Sequence, residues 1–331
     1  MSNTNKTLKS SDFASDQLVR WCPGCGDYAI LNAVKKVLAA SGKRKEEIAF
    51  ISGIGCSSRF PYYVDTYGMH GIHGRAAAIA SGLTVHNPSL SVWVITGDGD
   101  GLAIGGNHFI HCIRRNMDFN FLLFNNEIYG LTKGQYSPTS KLGSTTQTSP
   151  TGTIEQPLSA AKLAIGAGAT FFARAAANDP KHLEAIIQRA NEHRGTSIVE
   201  IMQNCVIFND KAFDHFLDKS NRDQKTIKLE HGTPLTFGEE ATYFLALQGG
   251  TLEVYEKGIS NKVPLVHNEQ DQGIAFMLAQ LEDVMPLGVF YCVDSPTYSD
   301  RLEESITAAK DRKSYQDMQA LLNSGDTWQV G

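Results

Sequence analysis

The sequence predicts an α/β fold: a parallel sheet flanked by helices on both faces, followed by a C-terminal extension. Three observations carry this. Strand-length apolar runs alternate with segments of helical periodicity between residues 27 and 202, and such alternation implies right-handed crossovers joining parallel strands. Glycine- or asparagine-rich turns follow three of the strand-like runs, where the chain must reverse into a helix. The chain of 331 residues, 42% hydrophobic and 20% charged, has the composition of a globular protein able to bury such a core.

The elements follow in order. Ile30, Leu31, Val34, Val37 and Leu38 recur at helical spacing over Asp27 to Ala40, and Gly42 is a stop signal. A strand is expected at Ile48 to Ser52, and an Ala-rich helix at Gly74 to Val85, ended by Asn87-Pro88. The β-branched run Val92 to Thr96 precedes a helix at Ala103 to Met117 and a strand at Phe119 to Phe124. A helix at Gln156 to Ala167, a strand at Thr170 to Arg174, a helix at Lys181 to His193 and a strand at Ser197 to Met202 complete the pattern. Between them, Lys133 to Glu155 is rich in Ser, Thr, Gly and Pro, the composition of a long loop that covers a site. Past Asn209 the periodicity weakens, with a strand expected at Val289 to Val293 and helices at Ile274 to Leu281 and Leu302 to Ala309. The expected division is an α/β domain over residues 1–209 and an extension over 210–331.

Charge and hydropathy exclude several classes. Thirty Lys and Arg against 35 Asp and Glu give a net charge of −5, and the basic run Lys43-Arg44-Lys45 is answered at once by Glu46-Glu47, so nucleic acid is not an expected partner. No apolar stretch approaches the roughly 18 to 20 residues that span a membrane, and Met1 to Ser11 lacks the apolar core of a secretion signal. A cytoplasmic location is therefore expected. In that setting six cysteines point to thiol or metal chemistry and not to a disulfide scaffold.

Ligands of open parallel sheets bind outside the carboxyl ends of the strands. The residues there are Gly53-Ile54-Gly55-Cys56-Ser57-Ser58-Arg59, Gly97-Asp98-Gly99-Asp100-Gly101, Asn125-Asn126-Glu127-Ile128-Tyr129-Gly130 and Gln203-Asn204-Cys205. The Gly97-Asp98-Gly99 turn admits close backbone approach to an anion, while its carboxylate points to a hard cation bridging to phosphate. Asn126 stands 28 residues after Asp98, one helix and one strand later, so Asp98, the Asn126 side chain and the Ile128 carbonyl can supply three oxygens to Mg²⁺. Cys22-Pro23-Gly24-Cys25 precedes the first helix, and with Cys56 and Cys205 gives four cysteines able to meet. A Cys-x-x-Cys pair alone fits a redox dithiol, half a zinc site or half an iron–sulfur site. Cys112 and Cys292, inside a helix and a strand, are expected to be buried small apolar residues. Arg59 suits a carboxylate, and His70 and His73 suit hydrogen bonding to diphosphate or substrate.

Gly-Asp-Gly followed at this distance by Asn-Asn resembles the thiamine diphosphate fingerprint. With Trp21-Cys22-Pro23-Gly24-Cys25-Gly26, Gly53 to Ser57, Tyr67 to Ala76 and Ile128 to Gln135, the sequence from about residue 18 to 240 resembles the beta subunit of 2-oxoacid:ferredoxin oxidoreductases. The resemblance implies Asp98, Asn126 and Ile128 as Mg²⁺ ligands. Ile54, Gly55, Cys56, Ser57, His73, Gly97, Gly99, Asp100, Gly130 and Leu131 would line thiamine diphosphate. Cys22, Cys25, Cys56 and Cys205 would hold a four-iron four-sulfur (4Fe-4S) cluster. Arg59, His70 and His73, read from their own chemistry, are the expected catalytic residues.

The implied reaction is oxidative decarboxylation of a 2-oxoacid to an acyl-coenzyme A, with electrons leaving through the cluster to ferredoxin. Thiamine enzymes need a glutamate beside the aminopyrimidine; none is found here, so an alpha subunit is expected to supply it. Arg59 and Phe60-Pro61-Tyr62-Tyr63 resemble the 2-oxoglutarate branch, with succinyl-coenzyme A as product. Pyruvate or broad 2-oxoacid use is the alternative, since relatives of broad range tend to carry Lys at the position of Arg59. A non-redox thiamine decarboxylase subunit would not need the four cysteines, and a zinc-stabilised nucleotide-binding module would not catalyse.

Overall fold

An eight-stranded sheet organises the chain in the computed structural model, which describes residues 8–312 and 317–331. Its strands are Ile48–Ser52 (β1), Tyr67–His70 (β2), Ser91–Gly97 (β3), Phe119–Asn125 (β4), Phe171–Ala176 (β5), Thr196–Met202 (β6), Thr226–Leu229 (β7) and Met285–Cys292 (β8). They lie in the order β2-β1-β3-β4-β6-β5-β8-β7. Every pairing is parallel except that of β8 with β5, which is antiparallel and irregular between Val289 and Tyr291.

Both faces are covered. The longer helices are Asp27–Ala40 (α1), Ala76–His86 (α2), Gly106–Arg114 (α3), Ala160–Gly166 (α4), Pro180–Glu192 (α5), Gln272–Leu278 (α6) and Tyr298–Arg312 (α7). Side chains of a strand alternate between faces, and β4 divides accordingly. Phe119, Phe121 and Leu123 join the core under α2, α3, α4 and α6, while Leu122 and Phe124 join the core under α1 and α5. This double burial is why the strands read as nearly unbroken apolar runs.

Several boundaries differ from expectation for local reasons. Ala103 precedes α3 because Gly99–Ile104 form a wide π-helical turn; a Cβ at Gly105 would lie 2.5 Å from the Asp100 carbonyl oxygen. Asn116, in the left-handed region at φ 51, keeps α3 from reaching Met117. Residues 156–159 stay outside α4 because Ser159 is its N-cap, accepting from the Lys162 amide, and Pro157 lies upstream. β2 carried no apolar signal because it is an edge strand whose Tyr67 and Met69 are exposed. Pro286 and Gly288 hid the first half of β8.

Residues 210–331 extend the same sheet. They supply β7 and β8, a small antiparallel sheet (Thr236–Phe237, Tyr243–Gln248, Thr251–Glu256) and α6. Ile227, Leu245, Leu278 and Phe290 belong to the same core as Phe121 and Leu123. Among the described residues, no helix is long and apolar enough to cross a membrane.

Candidate active site

Every residue expected to contact the cofactor borders one cavity at the carboxyl ends of β1, β3 and β4. These are Ile54, Gly55, Cys56, Ser57, His73, Gly97, Asp98, Gly99, Asp100, Asn126, Ile128, Gly130 and Leu131. Asp27, Phe124, Tyr129 and Thr132, which were not among the expected cofactor contacts, also border it. Tyr129 Oη donates to the Gly99 carbonyl at 2.8 Å, and a Cβ at Gly99 would fall 2.3 Å from the tyrosine ring. The glycine therefore lets the aromatic ring lie flat on the turn; burial raises its phenol to about 12.

The two aspartates of the Gly97 to Gly101 turn have different surroundings. Asp100 is buried and its carboxylate is fully engaged inside the protein. Oδ1 accepts from the Ile54 amide (3.1 Å), the Gly74 amide (2.6 Å) and His73 Nδ1–H (2.6 Å), and Oδ2 accepts from Thr96 Oγ1 (2.6 Å). It ties the β1 and β3 turns to the start of α2 and fixes His73 with its proton on Nδ1, leaving Nε2 for the cavity. Asp98 is as buried, but its side-chain donors are hydroxyls alone: Ser137 Oγ at 2.6 Å and Thr139 Oγ1 at 2.5 Å, both on Oδ2. Burial without a cationic partner raises its pKa. The Asn126 side-chain oxygen accepts from the Ile128 amide at 3.2 Å, so both expected oxygen donors lie on one tight turn.

The Ser- and Thr-rich loop is packed inward: Ser137, Thr139, Ser140 and Thr153 are all buried. Ser140 Oγ donates to the Glu127 carbonyl at 2.5 Å and Thr139 Oγ1 contacts Asn125 Oδ1 at 3.1 Å. From Asn125 a buried polar chain runs under the site. Its Nδ2 donates to Glu200 Oε1 at 2.9 Å, and Arg174 Nε donates to Glu200 Oε2 at 2.8 Å.

All six cysteines are free thiols. Cys56 and Cys205 flank Gly130: a Cβ there would lie 3.7 Å and 3.5 Å from their sulfurs. Cys25 accepts from Gln203 Nε2 at 3.0 Å. Burial, then Asp27 and the neighbouring thiols Cys205 and Cys22, push Cys56 up to about 11. Cys25 is also raised, by burial, Asp27, Cys56 and Cys205. Asp27, buried at the start of α1, is raised to about 7 by desolvation. The four thiols thus lie near one another, and Cys56 among them borders the cavity. Among the described residues, no three His, Cys, Asp or Glu side chains are closed to metal-coordination distances. Cys112 is buried, and Cys292 is half-buried against the α1 and α5 core.

Arg59 and His70 stand apart from that cavity, in an adjoining one that shares Ile54, Gly55 and Leu131 with it and adds Arg20 and Tyr62. His70 donates Nδ1–H to the Ser58 carbonyl at 2.8 Å, which turns its other nitrogen toward the opening.

Residues 53–201 match the family described as "Thiamine pyrophosphate enzyme, C-terminal TPP binding domain". The whole chain is similar to the 2-oxoglutarate oxidoreductase subunit KorB of Mycobacterium tuberculosis, at 48% identity over 99% of this chain and 90% of that one. The chain belongs to the 2-oxoacid:ferredoxin oxidoreductase beta-subunit family. A second relative, 2-oxoacid:ferredoxin oxidoreductase 2, subunit beta, of Aeropyrum pernix, is 34% identical over 88% of this chain and 86% of its own. A solved 2-oxoglutarate:ferredoxin oxidoreductase from Magnetococcus marinus, with 2-oxoglutarate, coenzyme A and succinyl-CoA bound, superposes with a TM-score of 0.80. The two are 34% identical, and the match covers 98% of both chains. This beta subunit is therefore part of an oxidoreductase, and every residue lining its cavity except Asp27 lies inside the matched thiamine pyrophosphate-binding region.

Proposed function

We propose that this beta subunit carries the diphosphate half of the active site of a cytoplasmic 2-oxoglutarate:ferredoxin oxidoreductase. It would work with an alpha subunit that supplies the missing acid. The observation that carries the reading is that Cys56 borders the cofactor cavity while its sulfur, with that of Cys205, flanks Gly130 on the same wall. A site for carbon chemistry and a site for electrons share a residue.

The residues fit the implied groups. Asp98 is a buried carboxylate with no cationic partner, and with the Asn126 amide oxygen and the Ile128 carbonyl it offers the hard oxygen set that Mg²⁺ takes. Gly99 and Gly130 present bare backbone to the cavity, where diphosphate oxygens can approach. Cys22, Cys25, Cys56 and Cys205 provide the four thiolates of a 4Fe-4S cluster. When bound, thiamine diphosphate supplies the carbanion chemistry that releases carbon dioxide from a 2-oxoacid, and the cluster accepts the electrons singly for ferredoxin.

The chain's own residues hold the reactants. Arg59 orients a substrate carboxylate through its planar fork, and His70 offers its free ring nitrogen to the same opening. His73 is locked on Asp100 and presents Nε2 to the cofactor cavity. Ile54, Phe124 and Leu131 keep that cavity apolar around the reacting carbon. Coenzyme A takes the acyl group.

The test is anaerobic co-production with the alpha subunit, followed by ferredoxin reduction with 2-oxoglutarate or pyruvate in the presence of coenzyme A. A brown complex with about four irons per beta chain and a kcat/KM at least about tenfold higher for 2-oxoglutarate is expected. A pyruvate preference overturns the substrate assignment, and a colourless active complex overturns the cluster.

A further inference from the structure

The loop at residues 133–158 reaches the site from behind the cavity wall. Two of its hydroxyls, Ser137 Oγ and Thr139 Oγ1, converge on a single oxygen of Asp98, Oδ2, at 2.6 and 2.5 Å, while Oδ1 takes no side-chain donor among the described residues. Both hydroxyls are buried, at 2% and 5% exposure of their residues, so water does not compete for these bonds. A carboxylate whose one oxygen accepts two hydroxyl protons is held in a fixed plane, with its second oxygen directed away from the donors.

The loop itself is clamped around this point. The Ser137 amide donates to Ser140 Oγ at 2.8 Å, Ser140 Oγ donates to the Glu127 carbonyl between the other two cation ligands, and the Leu158 amide closes the loop on the Pro138 carbonyl at 2.8 Å. One short segment thus touches the Asp98 side and the Asn126–Ile128 side of the site together.

We propose that Ser137 and Thr139 are positioning residues for the divalent cation: they set the Asp98 carboxylate so that Oδ1 faces it, and they couple closure of the 133–158 loop to cation and thiamine diphosphate binding. The inference rests on the reading of Asp98 as a Mg²⁺ ligand. Because coupling is reciprocal, a loop contact that favours the cation is itself favoured by the cation.

The experiment uses the alpha–beta complex with Mn²⁺ as a spectroscopic probe of the cation site, titrated at saturating thiamine diphosphate. The variants are Thr139→Val, the Ser137→Ala/Thr139→Val pair, Thr139→Ser and Asp98→Asn. Hydrogen bonds to a charged group set the scale: half-saturating Mn²⁺ is expected to rise about tenfold in Thr139→Val and further in the pair. Thr139→Ser, which keeps the hydroxyl, stays within about threefold of the parent protein. Mg²⁺ with thiamine diphosphate is expected to slow proteolysis within residues 133–158 of the parent complex and not of the pair. An unchanged Mn²⁺ titration in the folded Thr139→Val complex overturns the proposal, whatever happens to thermal stability. An unchanged titration in Asp98→Asn overturns the underlying assignment of Asp98 instead.

Discussion

Gly53 and Asp100 stand so close that a Cβ on the glycine would fall 1.9 Å from the carboxylate Oδ2. The first turn of the cofactor cavity is therefore built against the one acid that four donors hold in place. Gly53→Ala must displace that acid or the turn. Overpacking of this kind costs about 3 kcal/mol, and the variant is expected to lose thiamine diphosphate from the complex. Thermal unfolding and cofactor content measure both, and a fully loaded variant of unaltered stability would contradict the packing.

Glu200 and Arg174 form an ion pair whose side chains are only 4% and 12% exposed. Glu200→Gln keeps an acceptor for Asn125 but leaves the guanidinium without its counter-charge. Breaking a buried pair by removing one partner costs about 3–5 kcal/mol. Urea unfolding is expected to show a loss of that order, and less than about 1 kcal/mol would mean that Arg174 finds another partner.

His193 gives the fold a pH dependence. Burial lowers its pKa from 6.5 to about 4, against a smaller opposing effect of Asp294. The unfolded chain therefore binds more protons than the folded chain between these values. The stability from the neutral imidazole is fully present above about 6.5 and is lost as pH falls through that window toward about 4, up to about 3 kcal/mol in all. In His193→Gln, unfolding curves between pH 4 and 7 should flatten by that amount; an identical slope would assign the acid sensitivity elsewhere.

Cysteine substitutions should set four of the cysteines apart from the buried Cys112. Cys22→Ser, Cys25→Ser, Cys56→Ser and Cys205→Ser are each expected to lower iron from about four per beta chain toward zero. Cys112→Ala, at a buried helix position, should retain the iron at a stability cost of about 1 kcal/mol. Iron and sulfide analysis of anaerobically purified complexes decides it, and full iron in Cys205→Ser would remove that residue from the set.

Arg59→Gln should raise KM for 2-oxoglutarate by about 10- to 100-fold, the value of a charge-assisted bidentate contact. If kcat for ferredoxin reduction falls while KM stays constant, Arg59 is instead needed only at the transition state.

The site was legible because parallel sheets collect chemistry at one edge. Residues directly after β1, β3 and β4 had to converge, and glycines marked where backbone replaces side chain. What stayed hidden depended on packing across long sequence distances. Nothing around Asp27 announces a buried carboxyl beside Cys25, and Tyr129 is one aromatic among many until Gly99 is seen beneath it. The composition of the loop marked it as a cover for a site, but not that the hydroxyls of Ser137 and Thr139 turn inward onto Asp98. In the fold, the βα repeats were readable from periodicity, whereas β2 and β7 lie at the sheet edges. At β2, Tyr67 and Met69 remain exposed, so alternation gave no signal there.

The antiparallel joint between β8 and β5 carries a consequence for synthesis of the chain. The strands that frame the cavity are made first, but β5 remains a bare edge, rich in Phe and Ala, until residue 292 has left the ribosome. A chain stopped near residue 209 would thus retain the strands that frame the cavity and present an aggregation-prone border. The C-terminal third thus covers a sheet edge that the strands framing the cavity would otherwise leave open.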